Sequence, residues 1–99
     1  MAVKRITFNI STDDTSRGQS YQDVMDEIEA ELAHLDPDYI SPLPSDRCVD
    51  TKLNTKSVFK AINRHLRGGD TLWVGGLTQW PQFTKIDPSD LAWLKSRLK

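Results

Sequence analysis

Residues 48–77 read CVDTKLNTKSVFKAINRHLRGGDTLWVGGL, and this stretch constrains the fold more than any other. Two apolar extended runs, 47–53 and 71–77, flank a helical pattern that the pair Gly68-Gly69 brings to a stop. Asn54 or Thr55 caps that helix; Val58, Phe59, Ile62 and Leu66 form its apolar stripe, and Lys56, Lys60 and Arg64 a second stripe at i, i+4, i+8. In the first run Val49, Thr51 and Leu53 share a face, with Cys48 and Asp50 on the other; in the second, Leu72 and Val74 oppose Trp73. A strand–helix–strand unit with half-apolar strands needs further strands beside it to bury them.

The rest of the chain supplies them. Residues 3–10 alternate Ile6, Phe8 and Ile10 with Arg5, Thr7 and Asn9, the period of a strand with one buried and one open face. Residues 11–19, STDDTSRGQ, are a polar loop of small residues. Ser20 is an N-cap, and Tyr21, Val24, Met25, Ile28, Leu32 and Leu35 then recur at helical spacing up to Asp36-Pro37. Residues 39–43 and 47–53 read as a hairpin across Pro44-Ser45-Asp46, its first strand at an edge because Pro42 cannot donate to a ladder. Residues 79–86 are irregular or a short extra strand. Asp87-Pro88-Ser89-Asp90 then starts a C-terminal helix with Leu91, Leu94 and Leu98 in line and Trp93 beside them.

The order is βαββαβ with a short C-terminal helix: one α+β domain over residues 1–99, of the split βαβ or ferredoxin-like arrangement. That arrangement puts both main helices on one face of an antiparallel sheet and leaves the other face open. At 99 residues a single two-layer domain can bury a core without disulfide or metal staples. No apolar run approaches the roughly 20 residues of a membrane helix, no apolar leader is visible, and Cys48 is the single cysteine, so the expected compartment is the cytoplasm with no membrane role.

The two halves differ in charge. Residues 1–46 carry 3 Lys/Arg against 10 Asp/Glu, and residues 47–99 carry 10 against 4. Such asymmetry marks either a nucleic-acid face or two elements that neutralise each other. With the acidic first helix beside the basic second one, mutual pairing is the preferred reading, and a phosphate-binding stripe of Lys56, Lys60, Arg64 and Arg67 the alternative.

A strand ending in FNIS, the VDTKL strand, a helix leading into GDTLWVGGL, Trp80-Pro81 and the closing DPSDLAWLKSRL together resemble the ferredoxin-like superfamily of the CRISPR adaptation endoribonuclease subunit and virulence-associated protein D, within it the SinR-like branch. The resemblance implies a homodimer whose open sheet faces carry Arg5, Thr7, Asn9 and Trp73. In nuclease members an aspartate near the end of the first strand meets its counterpart around a divalent metal. The matching residue here is Asn9, whose neutral amide binds Mg²⁺ weakly and cannot act as a general base.

Three functions follow. The preferred one is a non-catalytic, homodimeric binding or scaffold module with a protein or nucleic-acid partner, needing no metal or cofactor. The second is a toxin-like, metal-dependent endoribonuclease in which Asp13 or Asp14 takes the place of the missing aspartate and holds Mg²⁺ or Mn²⁺. The third is nucleic-acid binding without cleavage through the basic stripe.

Other chemistry-bearing residues are read as structural. His34 and His65 lie on separate helices without metal-ligand spacing and are solvent-facing or capping. Cys48 is a small apolar sheet residue rather than a nucleophile. Gly75-Gly76 lies in a strand, where it makes a bulge rather than a phosphate loop. Trp73 needs a cover from a subunit, the C-terminal segment or a stacked base, with a subunit or the chain itself preferred. Trp80, Phe83 and Trp93 pack the C-terminal segment against the body or a partner.

Overall fold

A computed structural model describes residues 2–11 and 20–98. The chain runs β1 (Ala2–Asn9), α1 (Tyr21–Leu35), β2 (Ile40–Leu43), β3 (Asp46–Thr51), α2 (Thr55–Asn63), β4 (Thr71–Gly76) and α3 (Pro88–Arg97). The sheet is antiparallel in the order β2-β3-β1-β4, so the α+β, ferredoxin-like architecture holds. β1 is interior because its alternating apolar residues suit a strand covered from one side and paired at both edges.

Both main helices cover that side. Ile6, Phe8, Ile10 and Val49 from the sheet meet Val24, Met25, Ile28 and Leu32 of α1 and Val58 and Ile62 of α2. Each fully buried aliphatic side chain there contributes about 1.5–3 kcal/mol. The helix starts are local: Ser20 and Asp23 form a reciprocal capping box at α1, and Asn54 accepts from the Ser57 N–H at α2. α2 stops at Asn63, earlier than the apolar stripe suggests, and closes through His65 N–H to Ile62 and Leu66 N–H to Asn63. Phe59 and Leu53, placed with the core by periodicity, are exposed.

Buried ionic groups tie the elements together. Asp36, the C-cap of α1, accepts from the Asp38 and Asp50 N–H groups at 2.9 Å each. Arg47 lies under α1, donating to Glu29 and to the carbonyls of Leu43, Pro44 and Asp46, with its guanidinium over the Phe8 ring.

The second face departs from the expected open sheet. Trp93 and Leu94 of α3 pack on Val3, Cys48 and Ile40, with Leu77, Ile86 and Leu98 around them. The apolar side of α3 needs a cover, and this end of the sheet provides it. Residues 77–87 are irregular, so no extra strand forms there. Gly75 and Gly76 make no bulge: they pair in register with Arg5 and Lys4, and the irregularity sits instead in β2 between Ile40 and Leu43, around Pro42.

Candidate functional site

The uncovered part of the second face is built by alternation. Arg5, Thr7 and Asn9 project from β1, and register sets Asp46 of β3 on one side of Thr7 and Trp73 of β4 on the other, with Thr71 opposite Asn9. All four residues expected on the open face are therefore brought to it. Trp73 is 79% exposed on the outermost strand. Asn9 is exposed at the strand's end.

Asp46 is the residue that periodicity missed, since it reads as part of a turn. It is the first residue of β3, and its carboxylate lies on the sheet: Thr7 Oγ1 donates to Oδ1 at 2.6 Å and Arg5 to Oδ2 at 2.9 Å. The signal available in the sequence is its alternation with Cys48 and Asp50. Burial by itself would raise the Asp46 carboxyl, but the bonds from Arg5 and Thr7 and the charges of Arg5 and Arg47 hold it below the ordinary carboxylate range. It is an ionised carboxylate with both oxygens engaged, poorly placed to act as an acid or base.

Of the four basic residues of the expected stripe, Lys56 and Lys60 on α2 and Arg64 are exposed and Arg67 is buried. Arg64 is drawn onto Glu31 of α1, which His65 also contacts at 3.0 Å. The Glu31 carboxyl is lowered first by the His65 bond and then, against burial, by Arg64. Glu31 with Arg64 is the one ion pair among the described residues that joins acidic α1 to the basic stripe; Lys56 and Lys60 form none. His65 is half-buried beside that pair, and His34 is exposed in the last turn of α1. Arg67 does not belong to the stripe. Its side chain is fully buried against Asp70, because the chain has left the helix at Asn63 and turned inward.

Cys48 is buried beneath α3, and burial pushes its thiol up to about 11. Asp13 and Asp14 lie outside the described residues. Among the described residues no group of three or more His, Cys, Asp or Glu is arranged to hold a metal ion, and no helix is long and apolar enough to cross a membrane. Comparison with protein-family models, curated proteins and solved structures gave no match.

Proposed function

We propose that this chain is a non-catalytic binding module that works as a homodimer, joined through the surface around Trp73 on β4, an edge strand of the described sheet. The observation that carries the reading is Trp73 itself, a large indole 79% exposed on an edge strand. Covering it contributes on the order of 3–5 kcal/mol per protomer. Thr71–Gly76 holds no charged residue, no proline and no bulge, the features that keep an edge strand from pairing with another chain. The opposite edge, β2, has both Pro42 and a register shift. The β4 edge is thus the one suited to a second copy, and the resemblance of the sequence to a family of homodimers agrees with it.

The test is sedimentation velocity on wild type, Trp73→Ser and Phe59→Ser, the last removing an exposed aromatic from the helical side. Dimeric wild type and Phe59→Ser with monomeric Trp73→Ser is the expected pattern. A monomeric wild type at micromolar concentration would refute the proposal. The enzymatic alternative is checked on the same samples with labelled RNA and Mg²⁺ or Mn²⁺; cleavage lost in an Asp13→Ala/Asp14→Ala double variant would replace a binding role with a catalytic one.

A further inference from the structure

Between the end covered by α3 and the exposed row around Thr7, the second face holds a cleft of about 570 Å³. That volume lies within the roughly 300–1,000 Å³ typical of small-molecule sites. Its floor is Arg5, Cys48 and Asp46. Its walls are mostly apolar, with Leu43 from β2, Leu77, Phe83 and Ile86 from the segment joining β4 to α3, and Leu94 from α3, beside the polar Gln82 and Thr84. Phe83 is steadied by a tilted ring contact with Trp80, 6.1 Å between centroids.

Charge at the cleft is unbalanced. Arg5 is half exposed and uses one nitrogen on Asp46, whose side chain is only 6% exposed and also accepts from Thr7. The remaining guanidinium nitrogens have no partner among the described residues, and Arg5 and exposed Lys85 line the same cleft. Lys85 and Ile86 also line an adjoining hollow between β2 and the start of α3, together with Asp87 and Asp90. The lining of the cleft itself therefore holds two cations, of which Lys85 is shared with that hollow, and one already engaged carboxylate, next to mostly apolar walls.

We propose that this cleft binds a small carboxylic acid with an apolar tail. The carboxylate is held by the free nitrogens of Arg5, in the planar two-point geometry that guanidinium favours. The tail lies between Leu43, Phe83, Ile86 and Leu94, and Lys85 adds attraction at the rim. Cys48 contributes surface only, since its buried thiol is a poor nucleophile. Arg5 also belongs to the open face that carries Trp73, but Trp73 itself does not line the cleft.

Calorimetric titration of the full chain with decanoate and with 1-decanol, which shares the tail but lacks the charge, tests the assignment. The expected result is saturable decanoate binding, one per chain, at least about tenfold tighter than decanol because a charge-assisted hydrogen bond is at stake. Arg5→Gln removes that preference and leaves decanol binding in place. Leu43→Asp, a change at an exposed wall position that spares the fold, weakens decanoate more than decanol by placing a like charge beside the carboxylate. Binding is unchanged in Trp73→Ser. The assignment is overturned by absence of saturable decanoate binding, by equal affinity for the two ligands, by a preference that survives both Arg5→Gln and Leu43→Asp, or by loss of binding in Trp73→Ser.

Discussion

Asp70 is the position where one substitution should do the most damage. Its side chain and that of Arg67 are both fully buried. Asp70 accepts from the Arg67 N–H at 2.8 Å, from Arg67 Nε at 3.3 Å and from the Ser11 N–H at 2.9 Å, while Arg67 also donates to the Ser11 carbonyl. The pair thus joins the start of β4 to the chain just past β1. Asp70→Ala removes the carboxylate from beside a buried guanidinium and takes the Asp70 acceptor away from the Arg67 and Ser11 N–H groups. Removing one partner of such a pair costs about 3–5 kcal/mol, a large share of the roughly 5–15 kcal/mol total of a domain. At roughly 4–8 °C per kcal/mol for a chain of this size, the midpoint falls by about 12–40 °C. Arg67→Leu/Asp70→Ala, which removes both charges, should be less damaging than Asp70→Ala alone. Burial would raise the Asp70 carboxyl, but the N–H bonds from Arg67 and Ser11 and the Arg67 charge hold it below the ordinary range. Its contribution is therefore present above the unfolded-state value of about 4 and is lost as pH falls through the lower folded value. The stability gap between wild type and Asp70→Asn should narrow over that acid range. Urea unfolding read by tryptophan fluorescence measures all of this. A cost below about 1 kcal/mol for Asp70→Ala, or a double variant as unstable as the two single losses summed, would show that the pair is not a buried, coupled unit.

Tyr39 should titrate late. Burial first, then its bond to Glu29, pushes its hydroxyl up to about 12, so of the two tyrosines one ionises near 12 in an ultraviolet titration and disappears in Tyr39→Phe. Because the folded value is raised, its contribution to stability is intact below about pH 10 and is lost on the way to about 12. Cys48, with its thiol at about 11, is roughly one part in a thousand thiolate at about pH 8, against about a quarter for an ordinary thiol. Alkylation by iodoacetamide should be at least roughly two-hundred-fold slower than for a free thiol and should speed up in urea; rapid reaction of the folded protein would contradict the burial of Cys48 beneath α3.

Much of the fold was legible because the signals are local. The alternation of Ile6, Phe8 and Ile10 identifies β1 and its buried face, and the caps Ser20, Asn54 and Asp87 mark helix starts through contacts with residues two or three positions on. Asp36 as the end of α1 and Pro42 as a sign of an edge strand belong to the same class. Where local signals misled, the cause is equally definite. Gly75-Gly76 pairs regularly, and neither glycine takes the left-handed φ that a glycine bulge uses, so their freedom goes unused there. Arg67 looked like the next member of a basic stripe, but a helical stripe has meaning only while the helix lasts, and α2 ends at Asn63.

The candidate sites divide along the same line. The sequence by itself determined that Arg5, Thr7 and Asn9 share a strand face and that Trp73 opposes Leu72 and Val74, since side chains of an extended chain alternate. It also pointed to pairing between acidic α1 and the basic stripe, found at one position, Glu31 with Arg64 at the C-cap of α2. Only the tertiary structure decided that Asp46 meets Arg5 across 41 residues, that Asp70 holds Ser11 across 59, and that the path from Leu77 to Leu94 walls a cleft over the sheet. Those contacts depend on strand register and on the route of an irregular connector. Neither leaves a repeat in the sequence, because a pair so far apart is set by the packing of everything between its members.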